Sequence, residues 1–458
     1  MRKQSTALIV GITCTFMLPA VASAQLPANT YGWNLGNTME PPTGEGTWNC
    51  PPATQELIDS VAAAGFNTVR IPVAWDSHAD GDMVIDPVWM DRVQEVVDYC
   101  YANDLYVIVN SHWDNGWLDE NIRAKVNSTL DAKVFAYWTQ IAERFADYDD
   151  HLLFACTNEP VVDRSNQMST LLAYEQTFVD AVRATGSFNT SRWLVVQGPG
   201  TDIDATDELM NALPNDPALD RLMVEVHYYS PYQFTMMTAD EWWGNQFYFW
   251  GQGYHSTTLP DNNPTWGEEQ DLLAQFQKMK TKFVDNGVPV LIGEFGAIKR
   301  TENPDLVGTA DFDLHVAART YFFKSVVDTA NSMGLKPIYW DNGWAGADGW
   351  ALFDRDTTAF VDADAAVALT GGPALPPPSG APYCGDGSCD STSESCLSCQ
   401  TDCGVCPPSY CGDGACDAGE SCVSCASDCG ACCGQRGDAC VDNSDCCTNI
   451  CRPAGRCG

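Results

Sequence analysis

Positive charge is scarce in this chain. Only 24 lysines and arginines stand against 61 aspartates and glutamates, for a net charge of −37. A surface of that sign repels phosphate backbones and excludes nucleic acid as a partner. Long apolar runs are equally rare. One opens the chain, from Ala7 to Val21 after Arg2 and Lys3, and ends at Ala22-Ser23-Ala24. It is short for a membrane span, and its small-residue ending predicts a signal peptide over residues 1–24 and a secreted protein starting at Gln25. No later stretch approaches the roughly 18 apolar residues of a span, so no membrane association is expected after cleavage. Cysteine is nearly missing from residues 25–370, where only Cys50, Cys100 and Cys156 occur, so that body must fold on an apolar core. They leave at most one bridge, with Cys156 in an apolar run as the expected free thiol. A glycine-rich phosphate loop after the first β run is also lacking, which argues against a doubly wound dinucleotide fold.

What is present is alternation. Short β-rich runs at 31–35, 67–72, 105–110, 152–157, 193–197, 222–227, 288–293 and 337–340 are separated by helical patterns. Val134, Phe135, Trp138, Ile141, Ala142 and Phe145 mark one helical face, and Met90, Val93, Val97 and Cys100 another. Eight β runs interleaved with helices over residues 25–370 predict a (β/α)₈ barrel of the TIM type in the α/β class.

Such a barrel gathers its chemistry at the carboxyl ends of the strands. Those ends carry Arg70, His112, Asn158 with Glu159, His227 with Tyr229, Glu294 and Trp340. Packing does not account for so many polar side chains on one face. Two carboxylates on opposite walls suit glycosidic cleavage, which needs an acid for the leaving oxygen and a second carboxylate across the sugar ring. Strand ends can set them ~5 Å apart, the separation for covalent attack with retention. Asp114 and Asp341 are read as supports. Trp117, Trp242, Trp243, Trp250, Trp344 and Trp350 are candidate stacking faces for sugars in loops.

Asn158-Glu159-Pro160 and Gly293-Glu294-Phe295-Gly296 resemble the acid/base and nucleophile motifs of glycoside hydrolase family 5, the cellulase A family. Gly32-Trp33-Asn34-Leu35-Gly36-Asn37-Thr38, Val69-Arg70-Ile71-Pro72, His227-Tyr228-Tyr229-Ser230-Pro231 and Tyr339-Trp340-Asp341-Asn342-Gly343 are similar to further family motifs, in the family's order. The resemblance implies Glu159 as acid and then base, and Glu294 as nucleophile, kept ionised by Arg70 and oriented by Tyr229. It implies that Asn158 bonds the sugar 2-hydroxyl, that His112 and His227 bind hydroxyls or tune the acid, and that Trp340 forms the platform at the cleavage point. Trp113 stands where the family usually has a second histidine and offers a stacking face instead. The implied protein is an endo-β-1,4-glucanase acting on β-glucan without metal or cofactor; separately, a monomer is expected. Xyloglucanase, lichenase and β-mannanase are near alternatives, and a non-catalytic carbohydrate-binding protein is the rival from another class.

Residues 371–382, GGPALPPPSGAP, predict an extended linker to a cysteine-rich tail. Cys384–Cys406 and Cys411–Cys432 repeat one another within residues 383–432, each with six cysteines. In an exported chain these favour disulfides over zinc, while Asp386 and Asp413 offer oxygen ligands to calcium. Residues 433–458 have the spacing C-x6-C-x5-C-C-x3-C-x5-C, which resembles a knottin. The tail is read as an accessory of small disulfide-rich modules. Tyr383 and Tyr410 are its only aromatics, too few for a sugar-binding row.

Overall fold

A computed structural model describes residues 26–48 and 50–378, together with 388, 389, 403, 451–452 and 456–457. The expected signal peptide, residues 1–24, and nearly all of the tail lie outside the described residues. Within the first repeat Cys389 is bridged to Cys403, and Cys451–Arg452 pairs antiparallel with Arg456–Cys457.

Eight parallel strands close into a barrel: β1 Gly32–Leu35, β2 Thr68–Ile71, β3 Tyr106–Asn110, β4 Leu152–Ala155, β5 Leu194–Gln197, β6 Leu222–Tyr228, β7 Val290–Phe295 and β8 Leu335–Asp341. Each pairs with its sequence neighbours, and β1 closes on β8. The expected β runs and the barrel are all found, with strand ends shifted by a few residues. Between the strands run the helices α1 Gln55–Ala63, α2 Pro87–Tyr101, α3 Ser128–Arg144 and α4 Ser165–Ala184. Local sequence starts them: Thr54, Asp86 and Asn127 each accept a backbone N–H of the first turn of α1, α2 and α3.

Strand periodicity divides the apolar residues into two cores. Val107, Val109, Leu152, Phe154, Leu194 and Val196 face outward against the helices. Ile108, Leu153, Val195, Met223, Leu291 and Ile338 fill the barrel interior, plugged from below by Trp193 and Leu26. Cys100 packs among the helical residues as expected. Phe135 does not: it is 48% exposed, one step round α3 from the buried Val134 and Trp138. Cys50, Cys100 and Cys156 are all free and buried, so the body has no bridge among them. At the end of the body Ala374 is buried, and Leu375 bonds Thr320 and Tyr254, so the start of the proline-rich segment lies against the barrel.

Candidate active site

Along β6 the side chains alternate inward as Met223, Glu225 and His227, from the apolar floor to the polar mouth. The register between β6 and β7 slips so that His227 pairs with Glu294 rather than with Gly293. A bulge of this kind re-aims the following side chain, here Glu294. Glycine is required at 293, because a Cβ there would lie 1.8 Å from the Glu225 carboxylate.

Arg70 lies fully buried on β2 and organises the floor of the site. Its Nε pairs with Glu225 Oε1 at 3.0 Å, and Nη1 donates to Glu294 Oε1 at 3.1 Å and Asn34 Oδ1 at 3.0 Å. Its Nη2 donates to Asn158 Oδ1 at 2.9 Å and so orients that amide. Tyr229 donates its hydroxyl to Glu294 Oε2 at 3.0 Å. His227 Nδ1 lies 2.8 Å from Glu159 Oε1 and 3.6 Å from Glu294 Oε2, while Nε2 lies 3.3 Å from Glu225 Oε1. One donor atom each from Glu159, His227 and Glu294 lie within 4.8 Å of one another. The Glu294 side chain is 7% exposed and that of Glu159 48% exposed, so Glu159 faces the opening.

The two histidines differ. Burial opposes charge on His227, but Glu294, Glu159 and Glu225 overcome it and push the ring up to about 10. It is an imidazolium donating to carboxylates on both sides. His112 is lowered by burial, with Arg70 and His227 adding to it, and is neutral. Asn110 Nδ2 lies 3.1 Å from its Nδ1, and its ring stacks on Trp340 at 5.7 Å with 6° between planes. Burial pushes Glu159 up, but the His227 hydrogen bond and the charges of His227 and Arg70 leave it lowered. Burial raises Glu294 against the same two cations.

Arg70, Asn158, Glu159, His227, Tyr229 and Glu294 thus form one bonded cluster, with His112 and Trp340 paired beside it. Trp113 stands apart on the rim, 39% exposed, with its indole N–H donating to Glu120 at 2.8 Å. Asp114 and Asp341 are supports: Asp114 accepts from the backbone of Trp75 and Ser77, and Asp341 pairs with Arg355 at 3.0 Å. Trp250 is no sugar platform, being fully buried with its N–H on Gly267 O. Trp242, Trp243 and Trp344 are exposed.

Several buried carboxyls escaped the sequence reading, among them Glu225, Asp119 and Glu40. Glu225 bridges Arg70 and His227 and accepts from Gln197 Nε2 at 2.6 Å. Asp119 accepts from the Thr157 hydroxyl and, at 3.1 Å, from the backbone N–H of Glu159, fixing the loop that carries it. Glu40 accepts from the N–H groups of Asn37 and Thr38. Burial pushes both Asp119 and Glu40 up to about 7. The unfolded chain releases these protons near pH 4, so the stability they lend is complete below that and is lost as pH rises through about 7. The fold should weaken between pH 5 and pH 8 by about 2–3 kcal/mol per group. Urea unfolding across that range checks this, and Asp119→Asn should flatten the slope.

Residues 27–346 match the family model described as cellulase, glycosyl hydrolase family 5. Endoglucanase A of Paenibacillus barcinonensis is 36% identical over 365 residues, covering 73% of this chain and 86% of that protein. A xyloglucan-specific endo-β-1,4-glucanase of Bacteroides ovatus is 37% identical over 345 residues, covering 71% of this chain and 65% of that protein. Among solved structures, a family 5 xyloglucan-specific β-1,4-glucanase from a ruminal metagenomic library aligns with a TM-score of 0.66 at 39% identity, over 75% of this chain and 95% of that one. The chain belongs to glycosyl hydrolase family 5, the cellulase family, and is a glycoside hydrolase.

Proposed function

We propose that this glycoside hydrolase is a secreted, monomeric endo-β-1,4-glucanase that works by double displacement with retention, using Glu294 as nucleophile and Glu159 as acid and then base. One observation supports this above the others: an oxygen of Glu159 and one of Glu294 lie within 4.8 Å. Inversion needs carboxyl groups about 6.5–9.5 Å apart to admit a water, whereas retention works at about 5–5.5 Å.

In the free site Glu159 is lowered and Glu294 raised, so substrate binding has to reverse that order. Glu159, Glu225 and Glu294 face the two cations Arg70 and His227, so a single further proton neutralises the cluster. A sugar ring over the mouth desolvates the half-exposed Glu159, which takes up that proton from solvent, while Arg70 and Tyr229 keep their bonds to an ionised Glu294. Glu294 then attacks the anomeric carbon as Glu159 protonates the leaving oxygen. The cationic His227 next receives the ionised Glu159, which takes a proton from water as that water releases the sugar. Asn158, its amide oriented by Arg70, meets the 2-hydroxyl as the oxocarbenium-like charge develops.

Branched glucan is the second reading, favoured by the xyloglucan-specific relatives at 37% and 39% identity. Initial rates on soluble β-glucan, xyloglucan and glucomannan separate the alternatives. Highest kcat/KM on an unbranched or xylosylated β-1,4-glucan is expected, and preference for glucomannan would overturn the glucanase assignment.

Glu225 adds a prediction of its own. Replacing it by Gln removes a carboxylate from both Arg70 and His227, so the ionisation of His227 falls from about 10. The alkaline limb of the kcat/KM profile should move down by about one pH unit or more. A purely structural lesion would scale activity equally at every pH.

A further inference from the structure

The loop between β3 and α3 borders a cavity of about 820 Å³ whose lining has the opposite sign to the rest of the protein. Trp117, Asn121, Arg123, Lys125 and Lys133 contribute to its wall, and no acidic residue does, in a chain with 61 of them. Lys133 is paired with Asp76 at 2.5 Å and lies 5.7 Å from the Trp117 ring centroid. Arg123 donates only to the carbonyl of Ile122, and neither it nor Lys125 forms an ion pair among the described residues. Many other surface cations are matched by carboxylates, as in Arg144 with Asp91, Lys278 with Asp204 and Lys280 with Asp285. A second cavity, of about 420 Å³, is lined by Asp240, Glu302, Asp305 and Asp348 and repels anions. The two cavities are thus opposite in the sign of their lining.

Its loop is fastened to the segment that carries Glu159. Asp119 accepts from the N–H of Glu159 at 3.1 Å through its side chain and from that of Val161 at 2.9 Å through its carbonyl. Gln167 Nε2 donates to Ile122 O at 3.2 Å, and Ile122 is fully buried. The cavity is thus held in a fixed relation to the acid/base. Trp117 is partly exposed, braced edge-on by Tyr137 at 5.5 Å, and offers a ring to a sugar's C–H face.

We infer that this cavity is a subsite for an anionic sugar, a uronate carried on the backbone or a branch of the glycan, with Arg123 and Lys125 taking its carboxylate. Arg matches a carboxylate bidentately, and Lys adds a point charge. Without the two cations, a protein of charge −37 would repel such a substrate along its whole surface.

This subsite rests on the proposed action on β-1,4-glucan, so its test reads binding as well as turnover. Carboxymethyl cellulose and uncharged hydroxyethyl cellulose of matched length serve as probes for the full chain. Arg123→Gln with Lys125→Gln should raise both Kd and KM for the carboxymethyl polymer about five- to tenfold at low salt. The loss should vanish at about 0.5 M salt, and hydroxyethyl cellulose should be unaffected. Lys280→Gln with Lys324→Gln, the same charge change on remote helices, should shift the anionic polymer far less. Equal effects of the two double variants, or equal effects on the two polymers, would overturn the subsite. Failure to cleave either polymer, with the charge-selective binding retained, would instead remove the glucanase reading and leave the anionic site standing.

Discussion

Glu294→Gln is expected to lower kcat on every glycan and every aryl glycoside by on the order of 10⁴-fold or more. The amide has nearly the carboxylate's shape, so Tyr229 and Arg70 keep a partner and the fold keeps its core. What disappears is the charged oxygen that attacks the anomeric carbon. No leaving group, however reactive, compensates for the loss of the nucleophile, and that uniformity is the diagnostic feature. An external nucleophile such as azide enters from the face Glu294 occupied, so any rescued product carries the inverted configuration. Survival of activity on an activated aryl glycoside would place the nucleophile elsewhere.

Glu159→Ala should behave differently, because acid catalysis matters only where the leaving oxygen needs a proton. On polysaccharide the loss should be about 10²–10⁴-fold. On a dinitrophenyl glycoside the first step should proceed at close to its normal rate and give a burst, since that phenolate leaves unaided. Turnover then stalls at the glycosyl-enzyme, where water has lost its base. Azide needs no base and should restore turnover, yielding a glycosyl azide with the substrate's own configuration. The half-exposed Glu159, open to the mouth, makes room for that anion once its side chain is cut back. Equal losses on good and poor leaving groups would contradict its role.

How much of this was legible in the sequence depends on the length scale of the cause. The barrel was, because β runs and amphipathic helices are patterned over a few neighbouring residues. Glu159, Glu294, Arg70 and His227 were legible as polar residues at the ends of apolar runs, where burial without function is costly. Glu225 carries a signal as well: in Met223-Val224-Glu225-Val226-His227 it shares the inner face with His227, but it lies below the strand end, where the other site residues stand. Asp119 and Glu40 carried no comparable mark. Each reaches its partners through a loop whose path depends on the folded barrel. The exposure of aromatics was the least readable feature. Trp250 sits in a long connection that looks like a loop, yet it packs on Tyr321 and Phe322 and is fully buried. Phe135 lies at the margin of its helical face, where a rotation of one residue decides between core and solvent.

The central claim is direct attack by Glu294 on the anomeric carbon. Proton NMR of the reducing end released in the first moments of hydrolysis, before mutarotation, tests it most directly. The β-anomer should appear first, and the α-anomer should follow only at the rate of mutarotation. Initial appearance of the α-anomer would contradict it, because it would mean that water, not Glu294, attacks the anomeric carbon of the substrate.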